Sequence, residues 1–322
     1  MQRRCSVMSK MIATRAAYGE TLAELGGRDA NIVVLDADLS GSTRTGWFAE
    51  KYPKRFVQMG IAEADMMGTA AGLAASGKTA FASTFAVFAT GRAFDQVRQS
   101  IAVPGLNVKI CATHAGLTVG EDGGSHQSVE DIALMRVLPN MTVVVPSDAA
   151  QTRWAVRVAA EKNGPFYVRL GRAAVPQIYD EEADFQLGKA KVLREGQDVT
   201  IIACGVMVSR ALEAADALGA RGIRARVLDM HTIKPLDDEA VRRAAEETGG
   251  IVTVEEHSIV GGLGGAVCES VCSLAPVPVI RVGVADVFGR SGKPDELLEA
   301  YGLTAGNIAC AAERIIKMKK TH

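Results

Sequence analysis

"MTVVVPSDAA", residues 141–150, places three consecutive valines before a proline, a polar pair and two alanines. β-branched runs favour extended chain, a proline ends the strand, and a serine ahead of alanines reads as a helix N-cap. The stretch therefore predicts a strand turning into a helix over 147–162, with Ser147 as its cap. The valines do not alternate with polar residues, so both strand faces need cover, as in a parallel sheet between helices. The same signature recurs in "NIVVL" (31–35), "TAFAST" (79–84), "NVKICAT" (107–113) and "FYVRL" (166–170). Ala-rich helical stretches fall between and around them, near 9–26, 62–76, 86–102 and 128–137. Strands alternating with helices in this way specify an α/β fold.

Around 173–198 proline, charge and lost periodicity interrupt the rhythm, which marks a domain boundary. A second α/β unit follows. Its strands are "DVTIIACG" (198–205), "ARVLDM" (225–230), "GIVTVEE" (250–256) and "VPVIRVGV" (277–284), with helices from about Val206, Leu236 and Leu263. The expected domains are 1–185 and 186–322. "VGGLGGA" (260–266) resembles a dinucleotide-binding loop, but it sits awkwardly far from its strand and has no suitably placed ribose-binding acid. A close-packed strand-to-helix turn is the expectation there.

A formal net charge of −1 gives no nucleic-acid or membrane footprint. No apolar run is long enough to cross a bilayer, and "MQRRCSVMSKMIATR" lacks the apolar core of a secretory signal. These features suggest a soluble cytoplasmic protein. Cys5, Cys111, Cys204, Cys268, Cys272 and Cys310 lack metal-ligand spacing and are expected as buried reduced thiols.

Four stretches carry polar chemistry that a core does not need. Glu63 is one of only two charges in the Ala/Gly/Met-rich run 60–77. It either stabilises a helix N-terminus or is a buried acid able to share a proton with a bound heterocycle. Phe85 and Phe88 lie three apart and could share a helix face, as core or as a stacking floor for a flat ring. "THAGLTVGEDGGSHQS" (113–128) starts at a strand's C-terminal edge and brings His114, Glu121, Asp122 and His126 into a Gly-punctuated loop. Imidazoles and an acid there suit proton transfer to, and grip of, sugar-like hydroxyls. Arg15, Arg169 and Arg172 read as surface ion pairs or as a phosphate clamp.

Taken together, the chain resembles the C-terminal half of transketolase, a thiamine diphosphate enzyme. The resemblance is carried in order by "IATRAA" (12–17), "ADLSGST" (37–43), "MGIAEADMMGTAAGLA" (59–74), "STFAVF" (83–88), "THAGLTVGEDGGSHQSVEDIALMRVLPNM" (113–141) and "FGRSGKPDELLEAYGLT" (288–304). It implies two doubly wound domains, a mostly parallel-sheet pyrimidine-binding domain and a smaller mixed-sheet C-terminal domain. It also implies that Glu63 bonds the cofactor's pyrimidine ring and drives its amino-to-imino tautomer, leading to the carbanion that attacks ketose carbonyls. Phe88 matches the stacking phenylalanine, with Phe85 beside it, and Asp38 matches an acid near the cofactor at a subunit interface. His126 and Asp122 match the residues at the donor carbonyl and hydroxyls. Arg15, Ser42, His114 and Arg172 match the sugar-phosphate ligands, whereas Arg169 has no counterpart.

"GGSHQ" departs from the family's "GPTHQ", and "GRAFDQ" looks more like deoxyxylulose phosphate synthase, which leaves Arg92 unassigned. The Gly-Asp-Gly motif that holds Mg²⁺ and the diphosphate is absent from the sequence. The resemblance thus implies a split enzyme: an N-terminal partner subunit carries the diphosphate and most of the Mg²⁺ site, in an α2β2 heterotetramer acting on sugar phosphates of the pentose phosphate pathway. Alternatives are a synthase of the deoxyxylulose phosphate type, a 2-oxoacid dehydrogenase beta subunit, a transketolase for an unusual ketose or sulfosugar, and a non-catalytic homologue.

Overall fold

The computed structural model describes residues 10–319, so Cys5 and the basic N-terminal run before Lys10 lie outside the described residues. In chain order the strands are β1 (Met11–Ala13), β2 (Ile32–Asp36), β3 (Phe56–Gln58), β4 (Thr79–Ser83), β5 (Val108–Ala112), β6 (Thr142–Val144) and β7 (Phe166–Arg169). They continue as β8 (Ala174–Pro176), β9 (Lys191–Arg194), β10 (Val199–Ala203), β11 (Ala225–Asp229), β12 (Thr232–Lys234), β13 (Ile251–Ser258) and β14 (Val279–Val284). One sheet has the order β12-β6-β7-β5-β4-β2-β3 and a second β14-β13-β10-β11-β9. All neighbours in the first sheet are parallel except β12 against β6; in the second only β9 runs antiparallel, along β11. This is the expected α/β architecture of a mostly parallel sheet followed by a mixed one.

The uninterrupted apolar runs are central strands with cover on both faces. On one face of the first sheet, Tyr18 and Leu22 of helix Thr14–Arg28 and Ala155 and Val156 of helix Ala149–Glu161 pack on Ile32, Val34, Phe81 and Val168. On the other, Met66, Met67 and Ala70 of helix Glu63–Ala75 join Val33, Leu35, Ile110 and Ile132. That core continues into the second unit through Ile202, Leu228, Ile233 and Val267, so the two sheets share buried apolar surface. Among the described residues no helix is long and apolar enough to cross a membrane.

Several local expectations change. The strand-to-helix turn at 145–149 uses Asp148 as N-cap, not Ser147: Asp148 Oδ1 accepts from Gln151 N at 2.9 Å. Its Oδ2 accepts from Ile178 N and Tyr179 N at 2.8 Å, so the same carboxylate ties down the segment read as a boundary. The helix expected from residue 9 starts at Thr14, because Met11–Ala13 pairs antiparallel with Ala174–Pro176. The helix expected over 86–102 is broken by π turns at Phe88–Arg92 and Val97–Ala102. β12 leaves the second unit and completes the edge of the first sheet, Thr232 opposite Val144. Cys111 and Cys204 are buried, but Cys272 and Cys310 are exposed, lying on the outer faces of helices Leu263–Leu274 and Ala305–Lys319. The "VGGLGGA" turn is filled by the chain itself: Glu255 accepts from Leu263 N and Gly264 N at 2.7 Å, where a phosphate would sit in a nucleotide site.

Candidate active site

Five parallel strands deliver their C-terminal ends to one rim, where ligands of open α/β sheets collect. β2 leads into Asp38 and Ser42, β3 into Glu63, β4 into Phe85 and Phe88, β5 into His114, and β7 into Arg172. Glu63 is the first residue of helix Glu63–Ala75 and its side chain is 2% exposed. Both carboxylate oxygens accept from Arg92 Nη1, at 3.0 and 2.9 Å. The Arg92 guanidinium carbon also lies 4.4 Å from the Phe88 ring centroid. Burial of the acid is thus offset by a cation and by the helix N-terminus, the two partners such a group requires. The π turn at Phe88–Arg92 sets Arg92 beside Phe88 and Glu63; the sequence assigned Arg92 no role.

Phe85 and Phe88 stack at 5.9 Å with 12° between their planes. The His114 ring lies on Phe85 at 3.8 Å and 18°, and His126 meets Phe88 edge-on at 5.5 Å and 74°. Thr113 Oγ1 is 2.8 Å from His114 Nδ1, and Arg15 Nη1 is 3.5 Å from its Nε2. His114 adopts φ 57°, the left-handed region that non-glycine residues enter at a cost and that often marks functional positions. Burial, then the charges of Arg15 and Arg172, drive its pKa down to about 3, so the ring stays neutral. The ring is therefore placed to stack and to hydrogen-bond in its neutral form.

Arg15 Nη1 donates to Ser42 O at 2.9 Å, joining two predicted phosphate ligands. Burial and the nearby charges of Arg44 and Arg172 lower the Arg15 pKa, the mark of like charges held together. Arg44 is a residue that sequence reading missed. Its backbone, at φ 72°, packs on helix Thr14–Arg28 where Gly19 leaves room: a Cβ there would meet Arg44 Cβ at 2.5 Å. The loop carrying Ser42 and Arg44 is held by buried Asp36, which accepts from Leu39 N and the Thr43 and Thr45 hydroxyls at 2.6, 2.7 and 2.8 Å. Asp38, expected near the cofactor at a subunit interface, follows β2 on the same rim. It is exposed, and its backbone N–H donates to Gln58 Oε1 at 2.7 Å.

Glu121 and Asp122 face Arg172 Nη1 at 3.6 and 3.7 Å, and Arg172 also donates to Val119 O. The second unit holds this Gly-rich loop. Thr118 N donates to Glu256 Oε1 at 2.6 Å, Gln127 Nε2 donates to Arg290 O at 3.0 Å, and Leu117 is buried among second-unit core residues. A Cβ on Gly124 would lie 2.6 Å from Gly289 O. Arg169 is neither a surface pair nor a phosphate ligand. It is buried, bonded to both Asp131 oxygens at 2.7 and 3.1 Å and to Glu256 O at 3.0 Å, and so pins the two units together.

The site fits an aminopyrimidine. A flat aromatic floor, a buried carboxylate at its edge, and a planar N–H donor already seated on both describe the contacts such a ring makes. The model of the transketolase pyrimidine-binding domain matches residues 10–177, and that of the transketolase C-terminal domain matches 188–308. A Methanocaldococcus jannaschii protein whose name marks it as a transketolase C-terminal section is 53% identical over 310 residues, 95% of this chain and 96% of that protein. A Clostridium 6-deoxy-6-sulfo-D-fructose transketolase subunit is 47% identical over 305 residues, 95% of each chain. A solved structure described as a split gene transketolase, inactive beta4 tetramer, superposes with a TM-score of 0.88 at 55% identity, covering 96% of this chain and 99% of that one. The chain belongs to the transketolase family and spans its pyrimidine-binding and C-terminal domains.

Proposed function

We propose that this chain is the pyrimidine-binding subunit of a two-chain, thiamine diphosphate-dependent transketolase that moves a two-carbon ketol unit from a ketose phosphate to an aldose phosphate. The observation that carries the reading is Glu63, buried at the rim of the sheet with both oxygens turned to a planar donor that lies on Phe88. When bound, the cofactor supplies the nucleophilic carbon that cleaves the ketose carbon–carbon bond. Glu63 would hydrogen-bond a ring nitrogen and share a proton with it, donating as the acid and accepting as the carboxylate once that nitrogen is protonated, while Phe85 and Phe88 would fix the ring plane. His126, at the edge of that floor, and Asp122 address the donor's carbonyl and hydroxyls. Arg15, Arg172 and Arg44, with Ser42 and neutral His114, hold the terminal anion.

The domain division at 185/186 places the cofactor wall in the first unit and the seat of the sugar loop in the second. Mg²⁺ and the diphosphate belong to a partner subunit with the Gly-Asp-Gly motif, in a cytoplasmic α2β2 assembly. The relatives named as subunits and the inactive tetramer of a similar chain support that arrangement. The sulfosugar relative favours a second substrate reading, because a cluster of arginines suits a terminal sulfonate as well as a phosphate.

The test is a ketol-transfer assay with ribose 5-phosphate as acceptor and either xylulose 5-phosphate or 6-deoxy-6-sulfofructose as donor, with and without the partner subunit. Turnover is expected only from the pair, and the preferred donor separates the two substrate readings. Full turnover by this chain alone overturns the split assignment.

A further inference from the structure

Arg92 holds both contacts that the proposed function gives to the cofactor's ring: Glu63 at 2.9 and 3.0 Å and the Phe88 ring at 4.4 Å. A guanidinium is flat, cationic and a hydrogen-bond donor, so it resembles a protonated aminopyrimidine in shape and in bonding. A ring stacked on Phe88 and bonded to Glu63 needs both of those contacts, and two planar groups do not share them. We propose that Arg92 is a built-in stand-in for the pyrimidine: it holds the two contacts the ring needs and must swing out to admit it, thereby setting the affinity of the pocket. This rests on the reading of Glu63 and Phe88 as the pyrimidine site.

The surroundings suit a displaceable group. The Arg92 side chain is 50% exposed although its partner carboxylate is 2% exposed, so solvent can receive the guanidinium. It sits at the end of a π turn next to Gly91, around whose Cα nothing lies within reach of an added Cβ. The side chain can therefore turn outward while Ala89 and Ala93 of the same turn stay packed in the core. The stand-in also explains how a buried acid is tolerated before the cofactor arrives, since an unpaired carboxylate there would be costly.

The experiment titrates the full chain with thiamine, which carries the pyrimidine but no diphosphate and so needs no partner metal site. Binding is followed by saturation-transfer NMR and calorimetry. Arg92→Gln, which removes the competitor, is expected to tighten thiamine binding about tenfold, the scale of a partly exposed charge-assisted contact. Arg92→Lys keeps the charge but loses the planar stack, and should fall between that variant and the wild type. Equal or weaker binding by Arg92→Gln overturns the proposal and makes Arg92 a fixed wall of the pocket. Tightening by Arg92→Gln that persists when Glu63→Gln is added also overturns it, because the gain would then arise away from Glu63. Failure of the underlying reading is distinct: thiamine binding by the wild type that Glu63→Gln leaves unaltered places the ring elsewhere.

Discussion

The proposed cofactor wall and the proposed sugar loop meet at Phe85, where His114 stacks on the ring, yet they are built in different ways. The wall (Glu63, Phe85, Phe88, Arg92) is made by the crossovers that follow β3 and β4, and its polar contacts close within the first unit. The loop over 116–127 has little structure of its own. Its backbone N–H bonds to Glu256, its glutamine bonds to the backbone of Arg290, and Gly120, Gly123 and Gly124 lie against the 289–294 segment. One region closes on itself; the other, besides its own turns and its bond to Arg172, leans on a neighbouring domain. Chemistry at the ring and recognition of the sugar should therefore fail separately.

The strongest way to break that contrast is Glu63→Gln. In the assembled enzyme it should slow exchange of the cofactor's thiazolium proton by about two orders of magnitude or more, the contribution of a positioned acid–base group. The melting temperature should change little, because the orphaned Arg92 is half exposed. Native-rate exchange in that variant would remove Glu63 from the chemistry. Gly124→Ala should do the reverse. Its methyl would press on Gly289 O, a backbone atom 2.6 Å away, and overpacking of this kind costs about 1–3 kcal/mol. The expected result is a raised KM for the sugar phosphate with proton exchange retained; loss of both together would show that the loop and wall are one unit.

The smallest effect concerns the hinge between them. His114 is buried with its pKa lowered to about 3, by burial first and then by Arg15 and Arg172. The unfolded chain takes up a proton below about pH 6.5 that the native chain refuses, so stability falls as pH drops from there toward 3. One such group contributes at most about 1.4 kcal/mol per pH unit. Denaturant melts between pH 7 and 5 should show a shallower loss for His114→Asn than for the wild type. His231, likewise buried and lowered to about 4, keeps a residual slope in both. Identical slopes would mean that His114 is protonated in the fold.

The sequence reading reached the wall better than its surroundings for a physical reason. Glu63, Phe85 and Phe88 stand out because an acid in a small apolar run and two aromatics at helical spacing conflict with their local context. The central strands were legible because "IVVLD" or "VKICA" needs cover on both faces wherever it sits. Arg92 was not legible: a charge on a helix looks like a solvated face unless the π turn that redirects it is seen. Asp36 was hidden as the last residue of an apolar strand, and Glu256 inside the run "VTVEE", where only the loop packed above gives it a purpose. β8 ("AVP") and β12 ("TIK") lack the run of β-branched residues that marks β6, and tertiary pairing alone makes them extended.

The borrowed strand β12 has a bearing on how the molecule comes into being. The edge of the first sheet at β6 is left without its neighbour until residues 232–234 have been synthesised, some ninety positions after β6 itself. During that interval a bare strand of valines is available to any passing chain, the kind of edge that seeds aggregation. A polypeptide cut at the apparent boundary near 185 would carry that hazard permanently. The boundary between the units is thus a seam in the sequence but not a place where the protein can be divided in two.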